Sequence, residues 1–492
     1  MILQYPALLI TLPLIAAFII TAFGWLNQRF CYPIAVITLT AALYISVELL
    51  LSIFEVQIIS YRLGGWPPPI GIEYKVDHLN AFVLVLITLV ALLNLVAAKP
   101  KVDQEFKEKS GAFYALYVLF VTGLLGITIT GDAFNLYVLL EITALTGYAL
   151  IGLGRSHAPL AGLNYVFMGT IGASFYLLGI GYLYLTTGSL NMADLATLIP
   201  ALQTSKTIVF GFVLCLIGLF IKMALFPLHN WLPNAYSYSP SAASSLIAPL
   251  TTKVMIYVMI RLVFSLFTPA FSFSNQLLTA VVVWIAIVAI VMGSVLALAQ
   301  KNLFKMLSFI IIAEVGYMVG GFWLGNSDGM TGAILHIAND ALMTLCLFLA
   351  VGNIKYMTKI ERFEDLKGII SKMPVSMTVF IIGGFSIIGV PPTCGFFSKW
   401  YLIKGGIVAN QWGFVIALLF SSLVNTILFF RIIEIGFFSS GDNSNVKGHG
   451  SATIREAPIG MLIPALITAG LLVLSGLYTN EFVTYIILPV MP

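Results

Sequence analysis

Charged side chains are scarce in this sequence of 492 residues. Asp, Glu, Lys and Arg make up 9% of it, where a soluble globular domain carries about 25%. Too few are present to build a water-soluble surface, which excludes a large soluble helical protein with an apolar core. Cysteine is scarce as well. Cys31, Cys215, Cys346 and Cys394 lie far apart, in or beside apolar runs, and form no CxxC pair. Neither an iron–sulfur cluster nor a structural zinc is indicated, so this chain is expected to hold no cofactor, and any electron-carrying cluster would sit in a partner subunit. The net charge is only +4, with no basic stripe to suggest a nucleic-acid partner. HExxH, GxSxG and the Gly-rich phosphate loop are missing. No loop is long enough for a soluble catalytic domain, so catalysis by this chain alone is not expected.

What the sequence has in plenty is apolar length: 60% of its residues are hydrophobic and its mean hydropathy is +1.02. A membrane-spanning helix needs about 20 apolar residues. That rule gives fourteen segments: 5–25, 32–54, 79–98, 111–130, 133–154, 162–187, 207–226, 243–264, 276–299, 303–324, 330–352, 375–403, 410–435 and 457–478. The first begins at Tyr5 without a basic leader or a cleavage site, and reads as a membrane helix. The predicted fold is an all-α, polytopic membrane protein. The runs do not alternate apolar with polar residues, so a transmembrane barrel is excluded. Loops after odd-numbered spans hold sixteen Lys and Arg, among them Arg29, Lys99, Lys101, Arg155, Lys301, Lys305, Lys355 and Lys447, against five in the other loops. Positive residues stay inside, so both termini are expected outside a cytoplasmic membrane. Ile59–Asn80, with Pro67, Pro68 and Pro69, reads as an ordered external loop. Lys355–Lys372 is expected as a cytoplasmic surface helix, and Ser439–Glu456 as a polar cytoplasmic loop.

Against this background the charges inside the spans stand out: Glu141, Lys222, Lys253, Glu314, His336, Asp340 and Lys399. A charge at membrane depth costs about 2.5–3.5 kcal/mol on insertion scales, and it persists where it is paired or reached by water. An inert ion pair, or a Lys reaching to the interface, accounts for one such residue more easily than for acids and bases spread over many helices, which read as a relay. Burial lowers the proton affinity of Lys and a nearby carboxylate raises it, so a Lys held between the two can load and release a proton. His336 and Asp340 are four residues apart and share a helix face. They are expected to form a protonatable pair lining a polar cavity, or a mutually satisfied buried pair. Two spans carry helix breakers near a Lys: the seventh, with Lys222 and Pro227, and the twelfth, with Gly389, Pro391, Pro392 and Lys399. Paired broken helices mark ion sites in transporters, and two such spans five helices apart suggest two related five-helix units.

The stretch from Phe226-Pro-Leu-His229-Asn-Trp-Leu-Pro through Ser245, followed by Lys253 and Arg261, resembles the signature of the antiporter-like subunits of respiratory complex I. The D-type subunit of Mrp sodium–proton antiporters and membrane subunits of energy-converting hydrogenases belong to the same family. Asp132-Ala-Phe-Asn through Glu141, Thr187-Gly-Ser-Leu-Asn-Met192 and Gly389-Val-Pro-Pro through Lys399 also match, and the resemblance covers about residues 60–435. It implies fourteen helices, two inverted five-helix repeats and broken helices 7 and 12. The corresponding division is 1–110 for three helices and the external loop, 111–265 and 266–436 for the repeats, and 437–492 for the last loop and helix. It further implies that Glu141 gates Lys222, that Lys253 passes the proton along the central axis, and that Lys399 ends the route. His336 and Asp340 belong to this relay, with His229, Lys305, Glu314 and Thr344 as secondary positions. Partners would be other membrane subunits of a complex, either an Mrp antiporter or a ferredoxin- or NADH-linked oxidoreductase, and the ions would be protons or sodium.

The sequence departs from the family pattern. Asp340 and Thr344 stand where relatives often have His and Lys, Ile310 and Ile311 where serines are usual, and Asn164 where many have Lys. Three readings follow. Asp340 replaces a base with an acid, or the oxygens favour sodium as a hard cation, or the proton line is interrupted and the subunit is structural. An intramembrane enzyme acting on lipid or peptide is the remaining class, and no nucleophile–base motif supports it.

Overall fold

The computed structural model describes residues 4–154, 156–438 and 455–491. Arg155, Lys447 and residues 439–454 of the expected polar loop lie outside the described residues. In chain order the helices are α1 (Tyr5–Leu26), α2 (Cys31–Val56), α3 (His78–Glu105), α4 (Ser110–Ile129), α5 (Ala133–Gly152), α6 (Ala158–Thr187), α7 (Met192–Leu198), α8 (Lys206–Lys222), α9 (Trp231–Tyr238) and α10 (Ser241–Arg261). They continue with α11 (Pro269–Ser272), α12 (Gln276–Leu298), α13 (Leu303–Trp323), α14 (Ser327–Thr358), α15 (Pro374–Ile388), α16 (Cys394–Val408), α17 (Trp412–Phe438), α18 (Ile459–Leu477) and α19 (Thr479–Phe482). Among the described residues twelve helices are long and apolar enough to cross a membrane unaided. The expected seventh and twelfth spans are each split, into α8 and α9 and into α15 and α16.

Polar residues punctuate the apolar runs. Asp77 caps α3 in a reciprocal box with Asn80, Asp132 caps α5, Asn302 caps α13 and Asn326 caps α14. Each side-chain oxygen takes a backbone N–H that the first helical turn leaves without a partner. The loop expected to be ordered contains an antiparallel hairpin, β1 (Ile59–Arg62) against β2 (Glu73–Val76), with Ile59 opposite Val76. The stretch expected as a surface helix is not one. Lys359 takes a left-handed conformation, φ 62°, that ends α14. The chain beyond it runs back against the start of α13, where Leu303 N–H donates to Glu361 O and Phe363 N–H to Lys301 O. Those backbone bonds leave only two short 3₁₀ turns, Phe363–Asp365 and Ile369–Ser371.

The contacts sort the loops onto two faces. On one, Arg261 pairs with Asp77, Tyr74 bridges to Thr130, Asp132 bridges to Asn191, and Asn326 bonds Gly405. On the other, Asn302 bridges to Arg362, Lys301 pairs with Glu364, and Glu456 accepts from Ser376. The first group joins loops after even-numbered spans and the second joins loops after odd-numbered ones, as alternate crossing demands.

The core lies along α10, α13 and α14. The apolar windows of α10 and α14 are wholly buried and that of α13 nearly so, whereas α1, α2, α6 and α18 bury 33–39% of theirs. Outer helices turn large apolar side chains outward, among them Phe18, Trp25, Ile37, Phe167 and Leu185. Small residues set the closest approach: a Cβ on Gly218 of α8 would lie 2.6 Å from Gly172 O of α6, and one on Gly179 of α6 would lie 2.7 Å from Gly211 O of α8. Gly218→Val therefore forces α6 and α8 apart, and overpacking of this kind costs about 1–3 kcal/mol. The expected outcome is a lower thermal midpoint of the detergent-solubilised complex, with Gly470→Ala, where nothing lies within 4 Å, as the unaffected control.

Candidate functional site

The apolar α8 stops at Lys222, its last residue, because Ala224 takes a positive φ of 57° and Pro227 follows. The Trp231 indole of α9 donates to Ile221 O at 3.0 Å, a carbonyl that also accepts from Ala224 N–H at 3.2 Å, and its ring stacks on Tyr165 of α6 with centroids 4.0 Å apart. Lys222 is thus left at the negative end of the α8 dipole. Its Nζ lies 3.8 Å from Glu141 Oε1 of α5, the pairing that the resemblance implied. That separation is beyond hydrogen-bond reach, and the carboxylate is 29% exposed while the lysine is buried. The first pair is loose, and its carboxylate side chain is part-exposed.

The second pair is closed. Lys253 Nζ of α10 lies 2.9 Å from Asp340 Oδ2 of α14, with side chains 1% and 0% exposed. Thr344, one turn from Asp340, donates its hydroxyl to Asp340 Oδ1 at 2.9 Å and accepts from Lys253 Nζ at 3.3 Å. Lys253 also reaches Ala248 O at 3.4 Å. Removing either partner of such a buried pair costs about 3–5 kcal/mol, because the other charge is left uncompensated.

The expected pairing of His336 with Asp340 is not made. Asp340 is taken by Lys253. The His336 ring lies between Glu314 of α13, against its Nε2, and Ser398 Oγ of α16, 2.8 Å from its Nδ1. Sharing a helix face did not decide the partners; full charges and polar groups arriving from α10, α13 and α16 did. A third acid–base pair, Glu314 with His336, therefore exists, fully buried, and Glu314 belongs to the centre of the row.

Lys399 lies one residue beyond Ser398. Its Nζ donates to Ile387 O at 2.5 Å and to Ser422 Oγ at 3.2 Å, and sits 5.1 Å from the centre of the Tyr317 ring. Ile387 is next to last in α15, whose helix ends at Gly389 with φ 92°. In sequence the breakers follow Lys222 and precede Lys399. In space both amines sit at the C-terminal, negative end of the first half of a broken helix. Tyr317 continues the polar patch, donating to Ser421 Oγ at 2.5 Å, which accepts in turn from Ser294 at 2.6 Å.

Of the secondary positions, Thr344 and Glu314 fall within this row. His229 lies in the α8–α9 break, buried, stacked on Phe226 at 4.9 Å, its Nδ1 without a hydrogen-bond partner. Lys305 is half-buried in the first turn of α13, with Nζ 5.9 Å from the Tyr238 ring centre, apart from the row. Asn164, on α6, is exposed. On the opposite face, Arg261 binds Asp77 through two contacts, of 2.6 and 2.9 Å. Burial pushes the Asp77 carboxyl up, but the Arg261 guanidinium outweighs it and holds the group below its ordinary value. One buried base was missed. Lys101, expected in a loop, is in α3 and 1% exposed; the surrounding Lys99, Asp103 and Glu105 made it read as surface. Among the described residues no three His, Cys, Asp or Glu side chains gather as a metal site, and the four cysteines are buried and free.

Comparisons with known proteins agree with this geometry. The family described as NADH:quinone oxidoreductase/Mrp antiporter, transmembrane, matches residues 130–425. The N-type subunit of the NADH-quinone oxidoreductase of Desulforudis audaxviator is 42% identical over 88% of this chain and 87% of its own. The D-type subunit of the Na⁺/H⁺ antiporter of Bacillus subtilis is 31% identical over 90% and 87%. A chain of the membrane-bound sulfane sulfur reductase, an archaeal respiratory membrane complex, superposes with a TM-score of 0.89 at 30% identity, covering 98% of this chain and 96% of that one. A chain of the Mrp complex of Dietzia sp. shares the fold, with a TM-score of 0.87 at 21% identity over 98% and 96%. Broken helices, buried pairs and these similarities have one reading: the chain belongs to the NADH:quinone oxidoreductase/Mrp antiporter transmembrane family.

Proposed function

We propose that this chain carries protons across a cytoplasmic membrane as the antiporter-like subunit of a multisubunit complex. The observation that supports it is the row of acid–base pairs within the spans, Glu141 with Lys222, Lys253 with Asp340 and Glu314 with His336, followed by Lys399. Each pair joins two different helices, so a small shift of one helix loosens one pair. A lysine beside a carboxylate keeps its proton; drawing the carboxylate away lowers its proton affinity and releases the proton to the next base. Glu141, loosely held, is the gate on Lys222. Lys253 takes the proton to the centre, His336 continues it, and Lys399 ends the route.

The ion at the centre is the proton, not sodium. The Asp340 and Thr344 oxygens that suit a hard cation already hold the Lys253 ammonium. A second reading, a mainly structural subunit with an interrupted path, is favoured by one observation. Leu307, Ile310, Ile311, Leu347 and Phe348 surround a cavity of about 10 Å³ beside Asp340 and Thr344, room for about one water.

Counting α8 with α9 and α15 with α16 as one span each, we infer fourteen spans, with 111–265 and 266–436 as two inverted five-helix units. The excess of Lys and Arg in loops after odd-numbered spans supports a cytoplasmic position for that face and termini outside. Greater identity to the oxidoreductase subunit, 42% against 31% for the antiporter subunit, supports a redox-linked parent complex whose iron–sulfur clusters lie in partner subunits.

Three outcomes check this. Lys222→Ala and Glu141→Gln are each expected to lower proton movement into inverted vesicles by on the order of 10²-fold while the complex assembles; normal transport by both variants leaves only the structural reading. Asp340→Asn strands the Lys253 charge and is expected to lower transport equally at high and low sodium, whereas a sodium-dependent defect supports a cation site there. Native purification is expected to recover iron-containing hydrophilic partners; small hydrophobic partners without iron point to an Mrp-type complex, with sodium–proton exchange to be measured next.

A further inference from the structure

The row of buried pairs needs a supply of protons. Its central pairs are closed, and the cavity beside Asp340 is about the size of one water. A buried base outside the row bears on this. Lys101 of α3 is 1% exposed, and its Nζ is buried with no hydrogen-bond partner. An unpaired ammonium in an apolar setting is among the costliest groups to bury, so its retention needs water or a proton-transfer role.

Its surroundings are specific. A Cβ on Gly352 of α14 would lie 2.5 Å from Lys101 Nζ, and the same point is 4.0 Å from Ser241 Cβ, at the start of α10. The amine sits where a side chain on position 352 would begin. Directly above lies a polar cleft of about 570 Å³. Gln104 and Glu105 line it from α3, Lys355 from α14 and Ser241 from α10. Lys101 is one helical turn deeper than Glu105, and Gly352 about one turn deeper than Lys355, so the amine sits beneath the cleft floor where the three helices meet. The charged groups that face it are Glu105 on α3 and Lys355 on α14; Lys355 itself pairs with Glu361 at 2.8 Å. The C-terminal ends of α3 and α14 and the N-terminal end of α10 all open onto the loops after odd-numbered spans, the face read as cytoplasmic.

A polar seam leads inward from there. Ser245 donates to Ser241 O at 2.7 Å. Asn94, two turns before Lys101 on α3, donates to Ala242 O at 3.3 Å and to Tyr117 Oη at 3.1 Å, and its own Oδ1 is buried without a partner. One turn beyond Ser245, Ala248 O receives Lys253 Nζ. On α14, Asp340, Thr344, Phe348 and Gly352 are spaced by four and share one face, so Lys101 and the Lys253–Asp340 pair lie along the same α10–α14 seam.

We propose that the cleft is the cytoplasmic inlet of this chain and that Lys101 is its first proton-binding group. It takes protons from water in the cleft, and water held by the Ser241 and Ser245 hydroxyls and the unpartnered Asn94 Oδ1 carries them on toward Lys253. This rests on the proton-translocation reading of the central row. The test uses the whole complex in inverted vesicles, with proton uptake measured across a pH series for Lys101→Met, Lys101→His and, as the reference, Lys222→Ala. Lys101→Met is expected to slow uptake by on the order of tenfold or more. Lys101→His is expected to restore uptake with its optimum moved to lower pH, since an ordinary imidazole titrates about four units below an ordinary amine. Wild-type uptake by Lys101→Met alongside a silent Lys222→Ala overturns the inlet and leaves the relay standing. Uptake by Lys101→His with an unmoved pH profile assigns Lys101 a packing role and also overturns it. Wild-type uptake by Lys222→Ala overturns the translocation reading itself, and the inlet falls with it.

Discussion

An ion pair in hydrocarbon survives only if nothing but protein surrounds it, and the fold is organised to satisfy that condition for Lys253 and Asp340. Two charges taken from water cost several kcal/mol each even after relaxation. Their mutual attraction offsets this only where geometry and further hydrogen bonds are good, which Thr344 and Ala248 O supply here. The helices that carry the pair, α10 and α14, have no face left for lipid along their apolar lengths. The remaining helices enclose them and take up the contact with the bilayer. The same logic extends outward: the central pair is closed, while the Glu141 side chain is part-exposed and beyond hydrogen-bond reach of Lys222.

The two helix breaks serve this arrangement by supplying backbone oxygens at membrane depth. Irregular backbone is tolerated there only when protein or cavity water satisfies it. In the first break the Trp231 indole takes Ile221 O, which leaves the Lys222 amine to Glu141. In the second, Lys399 itself takes Ile387 O. One half of the molecule therefore fills its break with a neutral donor and keeps its lysine for a carboxylate, and the other uses its lysine as the filler. The two lysines occupy equivalent ends of broken helices yet face different partners, so they are not interchangeable: Lys222 answers to the charge on Glu141, and Lys399 is tied to backbone.

Much of this was legible in the sequence, since the demand for apolar length and the rarity of charge within it are local properties. Twelve of the spans, both breaks and the in-span charges Glu141, Lys222, Lys253 and Lys399 were found that way, and the Glu141–Lys222 pairing followed from resemblance. Partner choice was less legible. His336 and Asp340 share a helix face, but a sequence holds no record of which helix arrives opposite; α10 brought Lys253 to one residue, and α13 and α16 brought Glu314 and Ser398 to the other. Local context also misled. Lys101 reads as surface beside Lys99, Asp103 and Glu105, and only the approach of Gly352 shows that α3 carries it into the interior. Lys355–Lys372 reads as a charged surface helix, but its backbone is spent on the loop before α13.

Departures from the family pattern acquire a physical meaning once the partners are known. A histidine at position 340 and a lysine at 344 would place two bases beside Lys253, and mutual repulsion would then drive protons along. Asp340 and Thr344 instead surround the Lys253 amine with oxygen. Ile310 and Ile311 line the small cavity beside Asp340 with apolar surface. At this point the chain has a closed salt bridge between α10 and α14 where the family pattern would set base beside base.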